Sequence, residues 1–406
     1  MIVTTETDAT LRGLLRHLID FGPLSRPELG EGVGLARATT SSLVNDLMRR
    51  GLVGEIPTPP QGRRGRPTTL LDVDDDRYAS LGLEIGLDRI LVAAYTPRGG
   101  QLLRVERPAE PEPGNPRALL RVAAGALREV ADSVAATGRI PLGAGVCVPG
   151  LVDASSGTVK YVPSLGWHDV ALRAGVADAL GGAALGGSVL VDSDANYAAL
   201  AERRARLRDG AAGTSLVYLT GTYGISAGII TGDRLWRGAR GLAGDVGHIM
   251  LDPGGKRCVC GRSGCFETRA GLAGIVRTAL AGHRRRGPAR SLADAVEETV
   301  RLAQRGDSTV LDALAEAGRW LGRGAAVVSA LLDPGAVVLG GHYARLAPWM
   351  LDPAREAYAA AVLTPGGEAP GLEVSMLGPW GPVEGAALSV LLALTEGSLP
   401  LPDPVS

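Results

Sequence analysis

Residues 248–265 read HIMLDPGGKRCVCGRSGC, and this stretch decides how the chain is understood. It holds His248, Cys258, Cys260 and Cys265, which are three of the four cysteines and one of the five histidines among 406 residues. A loop this rich in glycine packs poorly by itself. Four nitrogen and sulfur ligands at close spacing suit a closed tetrahedral Zn²⁺ site with no open position for chemistry. A structural zinc is therefore expected on these four residues. A disulfide and free thiols are the competing readings. Cys258 and Cys260 are too close for easy bridging, and the polar start MIVTTETDAT lacks the apolar segment of a secretion signal.

Composition narrows the rest. A hydrophobic content of 45% and 21% charged residues fit a globular chain long enough for two or three domains. The net charge of −1 marks no general polyanion binder, so contact with nucleic acid has to come from a local basic patch. No run of about 20 apolar residues appears, so no membrane span is expected and the cytoplasm is the expected compartment.

The N-terminal residues carry helical periodicity. Leu11, Leu14, Leu15, Leu18 and Ile19 line one face of an amphipathic helix. After a break at Phe21-Gly22-Pro23, Ser25 and Glu28 form a capping box, with Pro27 tolerated in the first turn of a short helix reaching about Val33. Gly34 turns the chain into a third helix over 35–50, which is expected to bury Leu43, Val44, Leu47 and Met48. Its other face shows Arg37, Thr39, Thr40, Ser41, Ser42 and Asn45. This spacing predicts a helix-turn-helix whose third helix meets DNA base edges. From Gly34 to Leu70 there are six arginines against Asp46 and Glu55. Arg63, Arg64 and Arg66 sit on a Gly/Pro-stiffened arm suited to a narrow minor groove, although Pro-rich stretches are also ordinary linkers.

Beyond Asp76 the texture changes to strands alternating with helices, which predicts α/β layers with functional loops at the carboxyl ends of strands. Strands are expected at 79–85, 90–96, 101–106, 188–192, 216–220, 336–340 and 372–377, and a helix over 117–136. Several loops carry carboxylates: Asp194 after Asp192-Ser193, Asp245 before His248, and Glu267 after Cys265. Such groups suit a polyhydroxylated ligand, although capping and solvation explain each one taken alone.

Together these residues resemble the ROK family of repressors and sugar kinases. The resemblance rests on Gly244-Asp245-Val246-Gly247-His248, Cys258-Val259-Cys260-Gly261 and Gly264-Cys265-Phe266-Glu267, with 148–153, 193–196 and 338–341 in support. Leu11–Val53 and the basic arm resemble the winged helix-turn-helix of the xylose-repressor branch. The resemblance implies a winged helix-turn-helix over 1–56, a wing, basic arm and linker over 57–77, and a two-lobed, actin-like (ribonuclease H-like) α/β body. One lobe would comprise 78–192 completed by 384–406, and the other 193–383 with the zinc site. By the same likeness Ser193, Asp194, Asp245, His248 and Glu267 would contact sugar, with Asp194 the base in kinase members.

Departures from that family point away from phosphotransfer. The first phosphate loop reads Glu84-Ile85-Gly86-Leu87-Asp88-Arg89, with bulk at Leu87 and a negative charge at Asp88. The second reads Thr222-Tyr223-Gly224-Ile225, with Tyr223 where threonine is usual. Ala36 stands where a capping serine is common. The resulting expectation is a sugar-responsive DNA-binding regulator, a repressor of carbohydrate genes, and not an enzyme; a sugar kinase with Asp194 as its base and a repressor controlled by a partner protein are the alternatives. It would be a homodimer or homotetramer on a pseudopalindromic operator.

Overall fold

The computed structural model describes residues 6–56, 69–181, 189–210, 215–283, 291–363 and 370–404. The N-terminal module comprises α1 (Glu6–Phe21), β1 (Leu24–Ser25), α2 (Arg26–Gly32), α3 (Arg37–Arg49), β2 (Val53–Ile56) and β3 (Leu70–Val73). Its apolar stripe is buried as periodicity requires, with Leu14, Leu15, Leu18, Leu29, Val44 and Leu47 in one core. The capping box forms: Ser25 N–H donates to Glu28 Oε2 (2.8 Å) and the Ser25 hydroxyl accepts from Glu28 N–H. Gly34 takes φ +71°, a left-handed turn that a β-carbon would strain. β3 pairs with both β1 and β2, so the module closes at Val73, inside the stretch expected to be arm and linker. The arm residues Arg63, Arg64 and Arg66 lie outside the described residues.

The first lobe is a five-stranded sheet ordered β11-β7-β4-β5-β6. Its strands are β4 (Tyr78–Ile85), β5 (Arg89–Tyr95), β6 (Gln101–Pro108), β7 (Ile140–Val148) and, later in the chain, β11 (Val189–Ser193). Helix α4 (Pro116–Ala136) crosses between β6 and β7. A small antiparallel sheet that periodicity did not reveal follows, made of β8 (Leu151–Asp153), β9 (Thr158–Val162) and β10 (Trp167–Val170), and α5 (Leu172–Leu180) leads back to β11. Then α6 (Asp194–Arg208) runs to the second lobe.

That lobe carries the sheet β14-β13-β12-β15-β16. Strands β12 (Leu216–Gly221), β13 (Ser226–Thr231) and β14 (Arg234–Leu235) precede α7 (Glu267–Ala270), α8 (Leu272–Ala279), α9 (Leu292–Gln304) and α10 (Ser308–Leu332). Strand β15 (Ala336–Gly341), α11 (Tyr343–Ala359) and β16 (Gly371–Val374) complete it. β16 stops earlier than expected because the chain bends at Met376 and Leu377. Finally α12 (Gly381–Thr395) returns to the first lobe and packs on β4, β7 and α6, so closely that Gly82 and Gly145 face backbone carbonyls of Val383 and Ala386. Among the described residues no helix is long and apolar enough to cross a membrane.

The N-terminal module is fastened to this body through α1, which packs on α6 and α12. The joint is closed by arginines. Arg203 on α6 makes a two-pronged pair with Asp20 on α1 (3.0 and 3.2 Å), and both side chains are nearly inaccessible, at 5% and 7%. Arg12 donates to the carbonyls of Leu394 and Leu399, Arg50 to that of Pro402, and Arg208 to those of Ile19 and Arg98. These side chains are part of the architecture, and Arg50, counted in the basic stretch 34–70, is put to structural use here.

Candidate functional site

In the loop after β14 the four expected ligands converge. The ligand atoms of His248, Cys258, Cys260 and Cys265 all lie within 4.8 Å of one another. His248 Nδ1 is 3.6 Å from Cys258 Sγ, and Cys260 Sγ is 3.7 Å from Cys265 Sγ. A zinc ion bound at about 2.3 Å to sulfur in a tetrahedron gives ligand–ligand edges of about 3.8 Å, whereas a disulfide needs about 2.05 Å. The donor set and spacing fit a tetrahedral metal, and all four cysteines are free thiols. Backbone bonds hold the loop: Cys258 N–H to Arg262 C=O (2.7 Å) and Gly264 N–H to Lys256 C=O (3.0 Å). Gly264 takes φ +72°, and a β-carbon there would meet the Asp252 carbonyl, so only glycine fits.

His248 Nε2 faces the other way, 3.9 Å from Asp245 Oδ1. Asp245, His248, Met250, Arg262 and Ser263 border a cavity of about 580 Å³ against the metal loop. Thus His248 joins the metal cluster through one ring nitrogen and this cavity through the other. Ser193, Asp194 and Glu267 do not line it.

Those three sit at the starts of two helices, Ser193 and Asp194 at α6 and Glu267 at α7. Ser193 is the N-cap of α6, accepting from Asn196 N–H (3.2 Å). Asp194, in the first turn, is buried and accepts from the Thr222 hydroxyl (2.9 Å). Burial pushes its carboxyl up to about 6. Glu267 Oε2 accepts from Ile225 N–H (3.3 Å), and Gly247 leans on the Ile225 carbonyl. The segment 222–227 is therefore the floor that Asp194, Glu267 and the 244–248 loop share. Asp192 anchors the start of α6, taking Asn196 Nδ2 (2.6 Å) on one oxygen and Arg237 (2.8 Å) on the other.

Glu84 was not read as a site residue, yet it is buried at the end of β4, and its Oε2 has no hydrogen-bond partner among the described residues. Its one signal was a charge at the end of the apolar run YASLGLEI. Burial, reinforced by Asp194, pushes its carboxyl up to about 8 from 4.5. A carboxyl whose folded pKa exceeds its unfolded one is tolerated when protonated, so stability is fullest below about 4.5 and declines as pH rises toward 8. Glu84→Gln is expected to raise unfolding stability at pH 8 by on the order of 3 kcal/mol and to change it little near pH 4.5. Urea titrations at the two pH values check this, and equal shifts at both would sink it.

On the candidate DNA face, Arg37, Thr39 and Asn45 are exposed and Ser41 is half-buried. Asn45 accepts from Arg26 (3.3 Å), which also reaches Glu55 (3.1 Å). Thr40 corrects the expectation. It is buried at 1% exposure, donates its hydroxyl to the Ala36 carbonyl (3.1 Å) and packs on Gly30. It knits α2 to α3 and is withdrawn from the DNA face. Met48 is half-buried instead of core, packed against the core's edge with Arg26 across its sulfur. Ala36 caps α3 without a side-chain bond, as its lack of a polar group dictates.

A three-helix module with a small sheet is set on a mixed α/β body of two lobes that carries a Cys/His loop, a body consistent with an actin-like, kinase-type frame. The chain belongs to the ROK family, whose profile matches residues 80–392. It is 26% identical over 381 residues to the xylose repressor of Bacillus subtilis (strain 168), covering 93% of this chain and 94% of that protein. A solved ROK family transcriptional regulator, a homolog of the E. coli MLC protein, superposes with a TM-score of 0.75 at 24% identity, over 96% of this chain and 97% of that one. A ROK family glucokinase from Streptomyces griseus, solved with glucose and AMPPNP, gives 0.65 at 26% identity, over 76% of this chain and 98% of the kinase.

Proposed function

We propose that this chain is a sugar-responsive transcriptional repressor of carbohydrate genes, which leaves its operator when a sugar or sugar derivative occupies the cleft. The observation that carries this reading is α6. Its first turn holds Asp194, buried and bonded to Thr222 of the second lobe, and Arg203 and Arg208 near its far end grip α1 of the N-terminal module. One rigid helix of about 22 Å thus joins the two. A sugar that binds one lobe arrangement better than the other would shift the population, and α6 would carry the change to the DNA-binding helices. The likeness to a xylose repressor over nearly the whole chain supports the same reading.

In this proposal Ser193, Asp194, Asp245, His248 and Glu267 contact the sugar. Arg37, Thr39, Ser41 and Asn45, with arm residues Arg63, Arg64 and Arg66, contact operator DNA. His248, Cys258, Cys260 and Cys265 hold a structural Zn²⁺ that stiffens the loop carrying His248. The protein acts in the cytoplasm as a homodimer or homotetramer, because paired half-sites need paired recognition helices. It is not a kinase: Asp88 sets a carboxylate where a nucleotide polyanion would have to approach.

The test is thermal unfolding of the purified protein against sugars, amino sugars and sugar phosphates, each with and without ATP–Mg²⁺. DNA ligands are selected in parallel from a random duplex pool. A sugar that raises the midpoint without ATP and also releases the selected DNA supports the proposal. An ATP-dependent shift with phosphorylated product would establish the kinase reading instead.

A further inference from the structure

The two residues that depart most from the family's phosphate loops, Asp88 and Tyr223, bond to each other across the cleft. Asp88 sits in the turn between β4 and β5, a first-lobe element. Gly86 N–H to the Arg89 carbonyl closes this turn, and Ala109 N–H to the Asp88 carbonyl ties it to the segment after β6 (both 2.9 Å). From this fixed position Asp88 Oδ1 accepts the Tyr223 hydroxyl (2.7 Å) and Oδ2 accepts Leu292 N–H (2.9 Å). Tyr223 follows β12 and Leu292 opens α9, so both donors belong to the second lobe. The carboxylate also meets the positive end of a 13-residue helix, where a negative charge is favoured. Tyr223 lies against bare backbone: a β-carbon on Gly86 would stand 2.2 Å from its hydroxyl.

We infer that Asp88, Tyr223 and the Leu292 amide form a clasp that holds the two lobes in the arrangement seen here. A hydrogen bond to a charged group is stronger than one between neutral groups, and two such bonds on one carboxylate form a contact that opens all at once. The clasp is therefore a bistable element of the kind that a sugar could bias. This last step rests on the regulator reading above; the clasp itself does not. Burial, with the Asp88 carboxylate beside it, keeps the Tyr223 phenol protonated, as a donor must be. The same chemistry explains why an aspartate and a tyrosine can replace residues that elsewhere approach phosphate, since each supplies what the other lacks.

The test uses the full-length, metal-replete protein without ligand. Hydrogen exchange and small-angle scattering are measured for the native chain, Asp88→Ala and Tyr223→Phe. Asp88→Ala should speed exchange of the Leu292 amide by about tenfold or more and widen the distribution of lobe separations, with exchange in β4 and β12 unchanged. Tyr223→Phe, which removes a single oxygen, should widen the same distribution to a smaller degree. Unchanged Leu292 exchange and scattering in both variants would overturn the clasp. So would a Tyr223→Phe variant in which exchange rises evenly through both lobes, because the hydroxyl would then support general stability and not lobe position. A clasp that passes in a protein indifferent to every sugar would leave the lobe contact standing and remove the regulator reading.

Discussion

Asp20→Ala is expected to destabilise the protein by about 3–5 kcal/mol, because it leaves the buried Arg203 guanidinium without its anion. The pair is 183 residues apart in sequence and nearly inaccessible to solvent, so water cannot replace the lost partner. Arg203 Nε already has no hydrogen-bond partner among the described residues, which leaves the guanidinium dependent on Asp20. Arg16→Ala is the control. Arg16 also touches Asp20 (2.8 Å) but is 21% exposed, and its loss should cost about 0.3–1 kcal/mol. Replacing both members, Asp20→Leu with Arg203→Leu, should cost less than Asp20→Ala alone, since no charge is then stranded. Urea unfolding of the four proteins decides the matter. If Asp20→Ala and Arg16→Ala prove equally mild, the joint is solvated and the rigid connection through α6 is lost as an argument.

The second large effect concerns the metal loop. Purified protein is expected to carry a single zinc ion per chain, and Cys260→Ser to lose it together with stability on the order of several kcal/mol. Cys260 is the informative position because it is half-buried, whereas Cys258 and Cys265 are buried and their replacement would also disturb packing. Elemental analysis and thermal unfolding, with and without chelator, read both outcomes. The chelator should bring the native protein down to the Cys260→Ser midpoint and leave that variant unmoved. A native protein free of zinc, or one indifferent to the chelator, would show that the cluster stands as free thiols.

Much of this was visible before the fold was known, and for an identifiable reason. Ser25 and Glu28 lie three residues apart, so their reciprocal capping depends on one helical turn alone. Cys258, Cys260 and Cys265 lie within eight residues, and a metal's coordination demands show directly in such spacing. Strands β4, β5, β12 and β15 are long apolar runs between turns and fall where expected. The sheet β8–β10 was missed because its strands are three to five residues long and of mixed polarity. Thr40 was misplaced because a hydroxyl on a polar helix face looks the same whether it meets DNA or the helix below.

The sequence by itself determined the longer elements, the four-ligand cluster and the family, because each follows from residues near one another in the chain. Tertiary structure alone decided how the parts act together. The run ERRARLR carries five charges, yet Glu202, Arg203 and Arg204 are buried, Arg203 against Asp20 of the N-terminal module, Arg204 against the Pro97 carbonyl and Glu202 against the Ser375 hydroxyl. Asp88 and Tyr223 read as two separate losses, yet 135 residues apart they supply one bond. Glu84 reads as the start of an altered phosphate loop, yet burial beside Asp194 pushes its carboxyl up to about 8. In each case the meaning of a charge depends on what desolvates it and what partner it meets, and both come from distant segments that only folding brings together.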